Sequence, residues 1–186
     1  IAGFIILRLR SILGRKTGHE SKVYPGFAEK DFSIPKNEIK TTKQNLEILE
    51  GKDKKEFLRG AEIAYESILT SFATGDLIKL KSLLSSNMFS NFSDAIKSRN
   101  KEGIKSEFTF IGVKETSVEK YEKIKDNLFA TVKFVAEVIS VKKDRENKII
   151  EGNPDKIKFV TDSWKFTRNI KQKDPNWYLS EIISKW

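Results

Sequence analysis

Just after Gly103 the spacing of apolar residues changes from steps of three and four to steps of two. Few features limit a fold so sharply. Helices and strands bury one face with different periods, so a chain that changes period once keeps its helices and strands in separate blocks. Before the change, Phe57, Ala61, Ala64, Tyr65, Ile68 and Phe72 recur at helical spacing among good helix formers, and Gly75 stops the run. Asp76 is placed to cap a short helix whose apolar face is Leu77, Leu80, Leu83 and Leu84. Asn87 is placed to cap a third, carrying Met88, Phe89, Phe92, Ala95 and Ile96.

After the change, alternation predicts a strand from Phe108 toward Tyr121, a turn at Asp126-Asn127, and a second strand with Leu128, Ala130, Val132, Phe134, Ala136 and Val138 on one face. Residues 148 to 150 resume briefly before Pro154-Asp155 breaks them. Two more strands follow, over residues 157–170 with Trp164, Phe166 and Arg168 sharing a face, and over residues 177–183. Helices first and hairpin-linked strands second predict an α+β domain over residues 52–186, its N-terminal helices packed on one face of a curved, four-stranded antiparallel sheet. The aromatic side chains either enclose a groove in that sheet or fill its interior. Alternation alone allows both.

Residues 14–51 read as a linker with a loosely attached helix, since Gly14, Gly18, Pro25, Gly26 and Pro35 break any period. Residues 1–13 read as the end of a membrane anchor or as a membrane-proximal helix. Phe4, Ile5, Ile6 and Leu7 form an apolar body followed by Arg8, Arg10, Arg15 and Lys16. Seven apolar residues fall short of the roughly 20 that span a bilayer, so the expectation is the last turns of a transmembrane helix, with the basic residues at anionic headgroups on the cytoplasmic side. An ordinary amphipathic terminal helix fits the same residues. Of the net charge of +9, residues 1–28 carry +4, which concentrates the attraction for an acidic partner, anionic lipid foremost, near the N-terminus.

The chain holds no cysteine and one histidine, His19, which lies in the linker. No thiolate chemistry, disulfide or cysteine-ligated metal is therefore available. No phosphate-binding loop of the GxxxxGK kind occurs, and Glu62, Glu66, Glu137 and Asp162 form no spaced pair suited to hydrolysis or metal binding. The reading is non-enzymatic, with no catalytic residues, cofactor, metal or nucleotide. The lysines are interspersed with acidic residues rather than gathered in one stripe with stacking aromatics, which weakens the case for a nucleic-acid binder.

Several stretches carry a resemblance. Phe57-Leu58-x-Gly60-Ala61-x-x-Ala64-Tyr65-Glu66, Phe72-Ala73-x-Gly75-Asp76, Phe92-x-x-Ala95-Ile96-x-x-Arg99, Glu151-Gly152-x-Pro154, Thr161-Asp162-x-Trp164-x-Phe166-x-Arg168 and Asp174-Pro175-Asn176-Trp177-x-Leu179 occur in that order. Together they resemble the Tim44-like domain, the C-terminal domain of the inner-membrane presequence translocase adaptor of mitochondria, and its bacterial relatives. The N-terminal segment from Leu7 to Gly18 resembles the juxtamembrane part of alphaproteobacterial members. The resemblance implies a nuclear-transport-factor-two-like, cystatin-like cone. It implies an adaptor, in mitochondria one that tethers a heat-shock chaperone and touches arriving polypeptides, in bacteria an inner-membrane protein with its soluble domain facing the cytoplasm. Related members associate with ribosomes, so a ribosome- or RNA-associated tether is the alternative, and a lipid or small apolar ligand binder a minor one.

Site expectations follow. Tyr65, Phe92, Trp164, Phe166, Trp177 and Tyr178 are the candidate pocket rim for a protein partner or unfolded client, with core packing as the competing role. Gly60, Gly75, Asp76, Asp162, Arg168, Asp174, Pro175 and Asn176 read as structural, the last three as a turn and Arg168 as the partner of an acidic neighbour.

Overall fold

A computed structural model of the chain describes residues 51–174 and 176–183. Helix α1 spans Gly51–Thr74, α2 Leu77–Leu83 and α3 Ser86–Glu102. Gly75 adopts φ +80°, a conformation open to glycine at little cost, and turns the chain out of α1. The Asp76 carboxylate then accepts from the Lys79 backbone N–H at 3.0 Å and caps α2. The cap of α3 is Ser85, not Asn87: the Ser85 hydroxyl accepts from the Met88 N–H, and Asn87 falls inside the first turn.

Five strands follow: β1 Lys105–Ile124, β2 Asn127–Lys143, β3 Ile149–Gly152, β4 Lys158–Asn169 and β5 Tyr178–Ile183. All pairings between them are antiparallel, in the order β1-β2-β4-β5, with β3 also on β2. Because β1 pairs with β2 along its whole length, β3 and β4 share the other side of β2, one beyond the other. The sheet is open, with β1 at one edge and β5 at the other, and this corrects the expected curved, four-stranded cone. The physical reason lies in what covers the apolar face. The residues Val132, Phe134, Ala136, Val138, Trp164 and Phe166 are closed off by Tyr65, Ile68, Phe72, Leu80 and Met88 from the helices. With helices supplying the second layer, the sheet buries its apolar face without folding back on itself.

Among the described residues no helix is long and apolar enough to cross a membrane, and the expectation of a transmembrane helix is corrected accordingly. The 24-residue α1 has the length, but Asp53, Lys54, Lys55, Glu56, Arg59, Glu62 and Glu66 along it make it amphipathic. The anticipated anchor at residues 1–13 and the loosely attached helix lie outside the described residues.

Arg99 ties the helical layer together. Its guanidinium donates to the Phe72 carbonyl at 3.0 Å, satisfying an otherwise open group in the last turn of α1, and sits 5.4 Å from the Phe72 ring centroid. Replacing Arg99 with Ala removes a charged hydrogen bond and the ring contact, and should lower unfolding free energy by about 2 kcal/mol in a denaturant titration. Lysine, with no planar fork, should restore less than half of that.

Candidate functional site

The aromatic residues named from sequence separate into two groups. Tyr65, Phe92, Trp164 and Phe166 are buried, at 3% exposure or less, while Trp177 and Tyr178 are half-buried. The buried group is the centre of the core. Tyr65 stacks on Phe134 with ring centroids 4.3 Å apart and lies 4.6 Å from Trp164. Its hydroxyl donates to the Asp162 carboxylate at 2.6 Å. Burial pushes the Asp162 carboxyl above its ordinary value, partly offset by that hydrogen bond, and burial together with the Asp162 charge pushes the Tyr65 hydroxyl up as well.

A groove of about 850 Å³ opens beside this core. Helix α1 lines one wall with Phe57, Gly60, Ala61 and Ala64, and the opposite wall consists of Tyr121, Leu128, Phe166, Arg168 and Trp177. Trp177 meets Phe57 edge-on at 4.9 Å and lies 6.4 Å from Tyr121, so it bridges the N-terminal half of α1 to the end of β1. The preceding turn holds it there. The Asp174 carboxylate accepts from the Tyr178 hydroxyl in a short hydrogen bond and from the Asn176 N–H at 3.0 Å. Those two bonds, the Tyr178 one first, hold the Asp174 carboxyl below its ordinary range. Pro175 lies outside the described residues.

Two features of the groove wall point to an occupant. A Cβ built on Gly60 would meet nothing within 4 Å, so glycine is not needed there for helix packing. It leaves the α1 backbone accessible from the groove, at a cost in helix stability. Arg168 has no direct ion pair among the described residues, although its charge acts on Asp174. Its Nε is buried without a hydrogen-bond partner, so a ligand in the groove can meet only the terminal guanidinium nitrogens. Asp53 and Glu56 also line the groove.

The candidate acid-base groups are dispersed. Glu62 accepts from the Thr116 hydroxyl at 2.5 Å, Glu137 pairs with Lys114 at 2.9 Å, Glu66 is exposed and Asp162 is held by Tyr65. Among the described residues no three His, Asp or Glu side chains are grouped to hold a metal. The arrangement is suited to binding: an apolar, aromatic trough with one guanidinium and two carboxylates in its lining. Sequence reading missed Phe57 and Tyr121 and treated Gly60 and Arg168 as purely structural. The available signal was Gly60-Ala61-x-x-Ala64, a run of small residues on the otherwise bulky face of α1.

Comparison with known proteins bears on this geometry. The sequence profile of the Tim44-like domain family matches residues 40–184. The probable mitochondrial import inner membrane translocase subunit tin-44 of Caenorhabditis elegans is 25% identical over 134 residues, covering 70% of this chain. The chain spans only 32% of that relative's length. The intermembrane space region of the chloroplast protein ARC6 superposes with a TM-score of 0.47 at 14% identity, over 69% of this chain and 97% of that one.

Two outcomes follow from the site. Because the folded-state pKa of Asp162 is raised, its contribution to stability is complete below the ordinary 3.8 and is lost as pH rises through the folded value. Asp162→Asn should flatten that decline in unfolding free energy, measured by denaturant titration at a series of pH values. Gly60→Ala should stabilise the protein by about 0.5–1 kcal/mol, since the new methyl meets no neighbour and helix propensity improves. A loss of stability would show that Gly60 serves packing after all.

Proposed function

Because the chain belongs to the Tim44-like domain family, we propose that it is a non-enzymatic adaptor that seats an apolar segment of a protein partner or client in the groove between α1 and Trp177, close to a membrane. The observation that carries this reading is the open backbone stretch at Gly60 in a groove whose lining includes Arg168, a residue with no ion pair among the described residues. An extended peptide can lie against the small residues of α1, rest its apolar side chains on the Phe57–Trp177 ring pair, and offer a carboxylate to Arg168. The half-buried rings add binding area with few rotors to immobilise.

Membrane proximity comes in this reading from Phe4, Ile5, Ile6 and Leu7, with Arg8, Arg10, Arg15 and Lys16 at anionic headgroups. The folded residues then stand on the cytoplasmic side of a bacterial inner membrane. Four basic residues at about 1 kcal/mol each, screened by salt, hold a chain only weakly by themselves. The C. elegans relative, by its description an inner-membrane translocase subunit, supports the association with polypeptide transport. Of the rival readings, the ribosome-associated tether draws least support from the folded part. Lys114, Lys133, Lys143 and Lys165 are each paired with glutamate, so much of the basic charge on the sheet is neutralised locally.

The test uses the full chain and short, extended Leu- and Phe-rich peptides that differ only in a glutamate or glutamine at one end. The glutamate peptide should bind more tightly, by fluorescence anisotropy, and Arg168→Gln should abolish the difference. Gly60→Leu, which fills the groove without a core change, should weaken both peptides about tenfold or more. Unchanged binding to Gly60→Leu would place the partner elsewhere on the molecule.

A further inference from the structure

The lining of the groove carries a charge pattern that the described residues leave unanswered. Asp53 and Glu56, in the first two turns of α1, make no ion pair among the described residues, and neither does Arg168 on the opposite wall. Between the charges lie the small residues Gly60, Ala61 and Ala64, with open space above Gly60. An occupant that answers this lining brings one anion, one or two cations, and bulky apolar side chains to set against the small ones.

Residues 1–50 contain that set in one place. The run Lys30-Asp31-Phe32-Ser33-Ile34-Pro35-Lys36 holds one carboxylate, two ammonium groups and two bulky apolar side chains. Phe32 is the only aromatic residue of that part of the chain to adjoin an acidic one, and residues 1–13, though apolar, offer no acid to Arg168. Pro35 biases Ile34 toward extended backbone. In an extended chain Phe32 and Ile34 fall on one side and Asp31 and Ser33 on the other, so one side suits the small-residue wall of α1 and the other suits the guanidinium.

The connection to α1 allows the run to reach the groove. Gly51 holds φ +62°, a conformation that a right-handed helix does not contain, so α1 is entered through a turn beside Asp53 and not along its axis. Ile34 lies 17 residues before Gly51. A linker of that length spans about 23 Å as a coil and about 25 Å as a helix, while the groove-lining stretch of α1 from Asp53 to Ala64 is about 16 Å long. A tether matched to its span in this way presents its far end at an effective concentration of about 1 mM.

We propose that residues 30–36 of the chain itself occupy the groove between α1 and Trp177 until a partner displaces them. Phe32 and Ile34 lie against Gly60 and Ala61, Asp31 meets Arg168, and Lys30 and Lys36 face Asp53 and Glu56. The proposal rests on the reading of the groove as a seat for an apolar segment, and it supplies the regulation of that seat. With an intrinsic Kd of about 0.1 mM, the internal segment leaves the groove open about a tenth of the time, so a partner binds about tenfold more weakly than to the empty groove.

The chain has no cysteine, so Ser33→Cys in the full chain provides a single site for a nitroxide. In the NMR spectrum, the amide signals of Gly60 and Ala61 and the indole signal of Trp177 should be broadened. Those of Ile149 and Ile150, beside the end of β2 remote from Leu128, should not. The broadening should persist on dilution and be relieved by the glutamate peptide. By fluorescence anisotropy, the triple variant Asp31→Asn, Phe32→Ser, Ile34→Ser should bind that peptide about tenfold more tightly than the unmodified chain. Unbroadened Gly60 and Trp177 signals overturn the proposal, as does equal binding of the peptide by the variant and the unmodified chain. Broadening that fades on dilution also overturns it, because the segment then comes from a second copy. If the peptide binds to neither chain while the broadening holds, the reading of the groove as a partner's seat falls and the internal contact stands.

Discussion

Tyr65 is the buried side chain that fixes the helical layer on the sheet. Its ring lies flat on Phe134 and against Trp164, and its hydroxyl is anchored 2.6 Å from Asp162 on β4. Apolar contact alone would let α1 slide or rotate on the sheet at modest cost, because one aliphatic surface resembles another. A buried hydrogen bond has one correct register, since any other leaves a carboxylate and a hydroxyl without partners in a low-dielectric interior. The pair therefore adds little net stability and much positional definition. The groove follows from that definition: Phe57, Gly60, Ala61 and Ala64 lie on the same helix within eight residues of Tyr65 and inherit their position from it.

The other wall depends on Trp177. It reaches α1 across more than a hundred residues of chain, and its placement rests on the Asp174 carboxylate closing the turn before β5. The groove is thus held at one side by core packing and at the other by a turn. Its polar character comes from Arg168, which shares a strand with core residues Trp164 and Phe166 but lies closer to the end of β4, where the helical cover thins.

Much of this was legible in the sequence, for identifiable reasons. The helices were visible because their apolar periods and terminators are local: Gly75 and Gly103 both take positive φ where the chain leaves a helix. Ser85 and Asn87 are both competent caps, and the tertiary tie of the Ser85 N–H to the Leu179 carbonyl favoured the earlier one, which no local signal announces. Strand β3 was read only as a brief resumption because its four residues are mostly exposed and show no alternation. The closed, cone-like sheet was a misreading of a different kind, since alternation shows which face is apolar and not what covers it. The same limit merged core and site. Tyr65 and Trp177 are both aromatic residues in periodic segments, and only the three-dimensional arrangement shows that the first is sealed and the second faces a groove. Membership of the Tim44-like family could be read from ordered motifs such as Thr161-Asp162-x-Trp164-x-Phe166-x-Arg168, several of whose residues turn out to build the core and the groove wall together.

Strand β1 runs for 20 residues at the border of the sheet and, among the described residues, pairs only with β2. That leaves a rail of backbone amides and carbonyls about 65 Å long, a natural template for a further strand. Its sequence makes stacking of copies unfavourable: Lys114, Glu115, Glu119, Lys120, Glu122 and Lys123 would have to give up water to lie against a neighbouring chain. On the proposed adaptor reading, the chain meets many polypeptide segments able to add to such a rail. The charged fringe on β1 keeps such an encounter from becoming a fibril, and on the same reading leaves the groove as the place where a client settles.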